Sequence, residues 1–381
     1  MRILVLNYEF PPLGGGAGNA TACLAREWAA RGHEVEVLTG GFRGVPRVEQ
    51  RDGFTVRRIC SPRARQGQCS VPEMFSFMLL SCLPAVWRGL AFRPQVVVPF
   101  FGIPSGPAAL LWNLFSGAPY VVSLRGGDVP GFDEKHMGAM HRMTGPVTAL
   151  LWRRAAAVVA NSAGLRATAE RFAPDLPILE IRNGVDTVRF SPGANDVRRD
   201  APPHLLFVGR LARQKGVDVL LDALARLREQ SWRLTIVGDG PERVPLGEQA
   251  ARLGLAERVH FHGWAQREEL PGLYRSADAF VFPSHDEGMP NVVLEAMASG
   301  LAIVATRVPG NDELVQGNGT LVPPGDAEAF ASALTPLLGD AARRAEMARA
   351  SRALALERYA WSTPARAYEE LFEKVIAGEG R

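Results

Sequence analysis

The stretch His285-Asp286-Glu287-Gly288-Met289-Pro290-Asn291-Val292-Val293-Leu294-Glu295-Ala296-Met297-Ala298-Ser299-Gly300 follows the apolar run Ala279-Phe280-Val281-Phe282. It reads as a strand, a polar loop and a helix. Pro290 fits the first helical turn, where its missing N–H costs nothing, and Gly300 fits the helix end. Two acids sit in different settings: Glu287 in the loop, Glu295 inside the helix. Val292, Val293, Leu294, Ala296 and Met297 surround Glu295, so it is expected to be partly buried. A buried carboxylate needs a hydrogen-bonding partner, and ribose hydroxyls would serve. The backbone N–H groups around Met289 to Val292 would face an anion. The plainer alternative is a helix-capping Glu287 and a solvated Glu295.

The same strand-then-helix pattern extends in both directions. Strands are predicted at 204–208, 233–237, 258–262, 279–282, 302–305 and 320–322 in the second half, and at 3–7, 35–38, 54–59, 95–99, 120–124 and 156–160 in the first. This argues for two α/β domains with parallel, doubly wound sheets. The turn-rich segments Ser191-Pro192-Gly193-Ala194-Asn195 and Ala201-Pro202-Pro203 mark a linker. The division expected is therefore 1–190, a linker at 191–203, and 204–360, with a terminal helix in 361–381 completing the first domain. In that helix Tyr368, Leu371, Phe372 and Val375 share one side. A helix is also expected from Thr21 to Arg31, stopped by Gly32.

Two further motifs sit at strand ends. Pro11-Pro12-Leu13-Gly14-Gly15-Gly16-Ala17-Gly18 follows the first strand and opens a helix. Glycines there let another molecule approach the backbone, and a helix N-terminus attracts anions, so a diphosphate is a natural guest. Phe207-Val208-Gly209-Arg210-Leu211-Ala212-Arg213-Gln214-Lys215-Gly216 opens the second domain. Arg210 and Lys215 flank its loop and can neutralise a diphosphate, one as a planar fork and one as a point charge. A dinucleotide dehydrogenase would want an acid at the end of strand two. Here Glu36 lies inside that strand and the chain exits through Thr39-Gly40-Gly41.

Composition limits the remaining classes. The chain has 381 residues, 47% apolar and 22% charged, as in ordinary globular proteins. Residues 1–200 hold 23 Lys and Arg against 16 Asp and Glu, a balance of +7, and the remainder carries −4. A basic first half suits an anionic acceptor or an anionic membrane face. The four cysteines, Cys23, Cys60, Cys69 and Cys82, match no metal-ligand spacing and are expected to be free thiols in a reducing cytoplasm. No secretory leader and no 18-residue apolar span is visible. The apolar segment Met74-Phe75-Ser76-Phe77-Met78-Leu79-Leu80 reads as a buried crossover helix, with contact to a lipid-linked acceptor as the alternative.

Taken together these residues resemble the family 4 retaining glycosyltransferases of the GT-B fold, over nearly the whole chain. The Glu287-x7-Glu295 element is the most specific match, and Gly209-Arg210-Leu211 with Lys215-Gly216 the second. Arg31-Gly32-His33-Glu34-Val35, Asn183-Gly184-Val185-Asp186 and Gly238-Asp239-Gly240-Pro241 match more weakly. The resemblance implies two facing Rossmann-like domains with an interdomain cleft and a nucleotide-sugar donor. Arg210 and Lys215 would hold its diphosphate, Glu295 its ribose, and Glu287 the transferred sugar. Backbone at Met289, Pro290, Asn291 and Val292 would meet sugar hydroxyls and phosphate. Gly15, Gly16, Gly209 and Gly238 would line the donor, with 237–240 and 261–264 framing the base. The implied partners are a UDP-sugar, with GDP-mannose next, and a glycan, lipid-linked or small-molecule acceptor. No nucleic acid, metal or resident cofactor is implied, since the nucleotide sugar is a co-substrate. Peripheral contact with the inner membrane face would accompany a lipid-linked acceptor, and oligomeric state stays open.

One departure matters. Many relatives carry His followed by Gly-x-Asp where this chain has Arg125-Gly126-Gly127-Asp128. Arg125 cannot act as a base near neutral pH. It would hold an anionic group, with Asp128 orienting an acceptor hydroxyl, or the two would form a salt bridge that shapes the loop. The family's front-face route, in which a donor phosphate oxygen takes the acceptor proton, needs no protein base. A nucleotide-sugar binder without transfer activity, and a phosphorylase or epimerase of the same fold, are the rival readings. Acceptor contacts are expected at Arg125, Asp128 and within 66–93.

Overall fold

The computed structural model describes residues 1–61, 63–64, 69–132, 134–193 and 202–379, with the backbone alone at 84–91 and 134–137. Two compact units result. The first comprises Met1–Gly184 and Trp361–Arg381, the second Val185–Ala360.

The first unit carries strands β1 (Arg2–Leu6), β2 (Glu34–Gly40), β3 (Val48–Arg51), β4 (Phe54–Ile59) and β5 (Val96–Pro99) in the order β3-β4-β2-β1-β5. Strands β6 (Val121–Ser123), β7 (Ala157–Ala160) and β8 (Ile178–Glu180) follow as a second sheet, tied to the first by bridges from Val97 to Tyr120 and from Phe100 to Ser123. Pairing is parallel except between β3 and β4. Helices α1 (Gly16–Ala30), α2 (Val71–Phe92), α3 (Gly106–Ser116), α4 (Glu134–Arg154) and α5 (Ala163–Phe172) make the crossovers. Helix α1 begins earlier than its apolar periodicity suggests, directly in the glycine loop.

The second unit is one parallel sheet of β9 (His204–Val208), β10 (Arg233–Val237), β11 (Val259–Gly263), β12 (Ala279–Phe282), β13 (Ala302–Thr306) and β14 (Gly319–Val322), in the order β11-β10-β9-β12-β13-β14. Its helices are α6 (Val217–Ala225), α7 (Arg243–Arg252), α8 (Leu270–Arg275), α9 (Asn291–Ala298), α10 (Pro309–Leu314), α11 (Ala327–Gly339) and α12 (Ala341–Arg358). Leu205 to Phe207 and Ala279 to Phe282 are wholly buried, which is why these strands read as unbroken apolar runs. The strand order reverses direction between β9 and β12. Open parallel sheets bind ligands at such a switch point, outside the carboxyl ends of the strands.

The last helix, α13 (Ser362–Ile376), belongs to the first unit. Tyr368, Phe372 and Val375 are buried, and the Trp28 ring of α1 meets Tyr368 at 5.8 Å and Phe372 at 5.4 Å. The Trp28 indole also donates to the Ala365 carbonyl at 3.1 Å.

Two expectations need correction. The chain passes to the second unit after Gly184, not after residue 190. Val185 N–H donates to the Tyr359 carbonyl, and Phe190 packs edge-on against Tyr274 at 5.6 Å, so this segment is anchored in the second core. Ala194, Asn195 and Ala201 of the linker, Gln66 of the acceptor region, and Gly380 and Arg381 lie outside the described residues. Helix α2 is not a buried crossover. Phe77 is buried, but Phe75 (46%), Leu79 (62%) and Leu83 (68%), spaced four apart, form an exposed stripe. The helix packs on α3, β4 and β2 and leaves this stripe open. No helix among the described residues is long and apolar enough to cross a membrane.

Candidate active site

The loops after β9 and β12 leave the same edge of the second sheet, on neighbouring strands. Backbone packing fixes the first loop. Gly209 N–H donates to the Val237 carbonyl at 3.0 Å and Leu211 N–H to the Asp239 carbonyl at 2.9 Å. Gly238 has φ +132°, and a Cβ on it would stand 1.9 Å from the Gly209 carbonyl oxygen. Only glycine fits there, because a left-handed backbone and a closing neighbour both exclude a side chain. Arg210 lies in this loop, exposed, its carbonyl accepting from the Ala212 N–H at 3.0 Å and its guanidinium in no hydrogen bond or ion pair among the described residues.

Lys215 lies on a 3-10 turn, Arg213–Lys215, that ends at Gly216 with φ +62°. Its ammonium pairs with Glu287 Oε1 and lies 5.2 Å from the centre of the Phe282 ring. The side chains keep 19% and 10% of their surface, respectively, so the pair is shielded but open on one side. Ser284 Oγ donates to the same Glu287 oxygen at 2.6 Å. The Thr306 hydroxyl holds the Ser284 carbonyl, and Gln214 Nε2 donates to the Asp286 carbonyl at 3.0 Å. The two loops are thus stitched together around Lys215 and Glu287. Glu287 does not cap α9. Pro290 is itself the N-cap, one position before the first turn expected for it. Helix α9 starts at Asn291, a few residues after Glu287 and on the same edge of the sheet.

Glu295 is half-buried on α9, and Tyr274 of α8 donates its hydroxyl to Oε2 at 2.9 Å. The carboxyl is therefore neither solvated nor waiting for its only partner. Burial pushes its pKa up from 4.5 to about 7, opposed by the Tyr274 hydrogen bond and by Arg267 and Arg189.

In the first unit the glycine loop opens α1, with Gly15 as the N-cap. Nothing lies within 4 Å of where a Gly15 side chain would begin. Gly15 N–H donates to Glu9 Oε2 at 3.3 Å, and Glu9 folds under Gly14. An acid of the chain itself thus occupies part of the anion position at this helix start. Glu36 is buried in β2 and paired with Arg57 at 2.7 Å, a structural role.

Arg125 and Asp128 do not form a side-chain salt bridge. Asp128 is buried, and its carboxylate accepts backbone N–H groups of Arg125 (2.9 Å), Gly126 (3.1 Å) and Gly102 (2.8 Å). It clasps two loops, holding Gly102 just after Phe101, whose φ of +71° is strained for a non-glycine residue. With both oxygens engaged, it is a loop clasp rather than a free partner for a hydroxyl. Burial raises its pKa against the pull of these amides. The Arg125 guanidinium instead donates to Asn183 Oδ1 (2.7 Å) and Ser123 Oγ (2.8 Å) and lies 4.1 Å from the centre of the Phe100 ring. Its Nε is buried without a partner. Desolvation lowers its pKa.

Comparison with known proteins settles the family. Residues 15–184 match the description "Glycosyl transferase 4-like domain" and residues 202–340 "Glycosyl transferases group 1". A glycogen synthase of Mycobacterium tuberculosis is 31% identical over 399 aligned positions, covering 100% of this chain and 96% of its own. The chain belongs to the family 4 glycosyltransferases. A GDP-mannose-dependent alpha-(1-6)-phosphatidylinositol monomannoside mannosyltransferase of Mycolicibacterium smegmatis is 30% identical, covering 95% of each chain. Among solved structures, HepE of Anabaena in complex with UDP and glucose superposes with a TM-score of 0.76 at 22% identity, covering 98% of this chain and 99% of that one. The fold is GT-B, and the protein is a glycosyltransferase that uses nucleotide sugars.

In this glycosyltransferase the fold brings Gly209, Arg210, Lys215, Gly238, Glu287, the segment Met289 to Val292, and Glu295 to the carboxyl edge of the second sheet. Gly15, Gly16, Arg125 and Asp128 lie in the first unit. Sequence reasoning missed Ser284 and Tyr274, which hold the two acids, Thr306, which holds Ser284, and Glu9, which holds the glycine loop. Ser284 had a local signal, since it stands in the loop just after β12. Tyr274 had none, because its partner comes from a different helix.

Proposed function

We propose that this glycosyltransferase moves a sugar from a nucleoside diphosphate donor to an acceptor hydroxyl with retention of anomeric configuration. A UDP-sugar is the favoured donor and GDP-mannose the next, in keeping with the UDP bound to HepE and the GDP-mannose dependence of the mycobacterial mannosyltransferase. The observation that carries the reading is the Lys215–Glu287–Ser284 cluster at the strand switch point, beside the unpartnered Arg210. The diphosphate takes Arg210 and Lys215, Glu287 turns to the sugar, and Glu295 accepts from the ribose hydroxyls. As the bond from the anomeric carbon to the phosphate oxygen breaks, charge builds on the leaving diphosphate. Cations already in place stabilise that charge more than the ground state. The acceptor oxygen bonds to the same carbon from the leaving-group side, and its proton passes to the departing phosphate oxygen. Charge neutralisation rests on the two side chains rather than on a metal.

Glu295 provides the test. Its carboxyl titrates near 7 in the free protein, and the ionised form is the better acceptor for ribose hydroxyls. Its contribution to the free protein's stability is present below 4.5 and lost as pH rises through about 7. Donor binding runs the other way, because the ribose recruits the ionised form. Affinity for a UDP-sugar, measured by calorimetry, is expected to rise about tenfold between pH 6 and pH 8 and to lose that dependence in Glu295→Gln. A flat profile for the unsubstituted protein would contradict the assignment.

A further inference from the structure

The first unit contains a second feature the donor chemistry does not use. A cavity of about 590 Å³ opens at the carboxyl ends of β2 and β4, lined by Arg43, Arg47, Arg58 and Arg63 together with Phe42 and Glu73. Its size is that of a small-molecule site. Its charges are not equivalent. Arg58 is buried and paired with Glu49 at 2.8 Å, and its guanidinium also donates to the Pro46 and Pro11 carbonyls. Arg63 donates to the Tyr8 carbonyl at 3.4 Å and lies 4.0 Å from Glu9. The Glu73 carboxylate is taken by the N–H groups of Ala64 and Ser70, both at 2.7 Å. Arg43 and Arg47 are exposed and engaged by no other described side chain. Two rigid guanidiniums therefore form the wall and two uncommitted ones the mouth.

The wall connects to the donor loop of the same unit. Pro11, which accepts from Arg58, belongs to the glycine loop, and Glu9, beside Arg63, holds the Gly15 N–H. Strand β1, which feeds that loop, pairs with β2. The cavity thus borders the loop through which this unit would meet the donor.

We propose that this cavity is the acceptor site and that the acceptor carries a phosphate, gripped by Arg43 and Arg47 over the Arg58–Arg63 floor. Guanidinium forks match phosphate oxygens two at a time. The volume beyond the charged mouth leaves room for the sugar or polyol that bears the phosphate. The inference rests on the proposed transferase reading and adds the acceptor's chemical class to it. The phosphate comes either from a soluble sugar phosphate or from a phospholipid headgroup. The exposed Phe75–Leu79–Leu83 stripe lies on α2, the helix that contributes Glu73 to the cavity.

Calorimetric titration of the full chain with glucose 6-phosphate and with glucose tests the soluble source. Co-sedimentation with phosphatidylcholine vesicles, with and without phosphatidylinositol, tests the lipid source. A preference of tenfold or more for glucose 6-phosphate over glucose, or for the vesicles that contain the anionic phosphatidylinositol over those of zwitterionic phosphatidylcholine alone, is expected, shrinking as salt is raised. The double variant Arg43→Met/Arg47→Met is expected to abolish it. Arg43→Lys/Arg47→Lys, which keeps charge, separates lost recognition from lost folding by retaining part of the preference. Equal binding within both pairs, or an undiminished preference in the methionine variant, would overturn the proposal. Titration of the same unsubstituted sample with UDP-glucose and GDP-mannose reports on the donor separately. If neither binds, the transferase mechanism above fails, while the phosphate preference is still read directly.

Discussion

Lys215→Ala is expected to lower kcat/KM for sugar transfer roughly ten- to hundredfold, because a hydrogen bond to a charged group contributes about 1.5–3 kcal/mol. The loss has two sources. The diphosphate forfeits a shielded cation that meets it most strongly when charge develops on the leaving oxygen. Glu287, with only a tenth of its surface open, keeps Ser284 but loses its counter-charge. Removing one partner of a shielded pair leaves the other poorly compensated. Arginine is not an equivalent replacement. Lys215 presents its ammonium over Phe282 at 5.2 Å, in a space bounded by Ser284 and Glu287, where a planar fork would have to displace one of them. Steady-state rates with saturating acceptor measure the effect. A rate equal to that of the unsubstituted enzyme would show that the 3-10 turn does not face the donor.

Gly238→Ala is expected to destabilise the second unit by about 2–6 kcal/mol, combining about 1–3 for overpacking and about 1–3 for the left-handed backbone. A Cβ there would stand 1.9 Å from the Gly209 carbonyl oxygen. Backbone cannot yield as a flexible side chain would. The only relief is to push the Gly209–Leu211 loop away, which breaks the hydrogen bonds to Val237 and Asp239 and moves Arg210. The substitution should therefore weaken nucleotide-sugar binding even where the unit still folds. Gly247→Ala is the control. It lies on α7 with nothing within 4 Å of its side-chain position, and alanine in a helix interior is favoured by up to about 1 kcal/mol. Urea denaturation of the two variants should differ in sign. Equal midpoints would mean that the loops after β9 and β10 are not packed as described.

The parts of this protein that were legible in the sequence are those written in local pattern. Continuous apolar runs marked β12 and β13, and nearly so β9, because both faces of a parallel sheet are covered there. Gly-Arg-Leu and the Glu287–Glu295 element marked the loops because they stand where strands end. Short edge strands escaped notice: β3 is a four-residue strand with no buried residue, and β8 is three residues long. Helix α2 misled for a different reason. Its composition is that of a core helix, and nothing local distinguishes an apolar stripe that is covered from one that is not. The boundary at Gly184 was hidden by turn residues further on, since the hold of Tyr359 and Tyr274 on 185–190 is a long-range matter. The same limit applies at the site. Arg125 and Asp128 stand close enough in sequence to suggest an ion pair. The carboxylate instead satisfies backbone of its own loop and of Gly102, and the guanidinium turns to Asn183 and Ser123.

A crystal of the enzyme grown with a non-hydrolysable UDP-sugar would show where the donor binds. The diphosphate is expected on Arg210 and on a Lys215 ammonium drawn from Glu287, the ribose hydroxyls on Glu295, and the sugar against Glu287 and the first turn of α9. A nucleotide bound elsewhere, with the Lys215–Glu287 pair intact and Arg210 still in solvent, would contradict it.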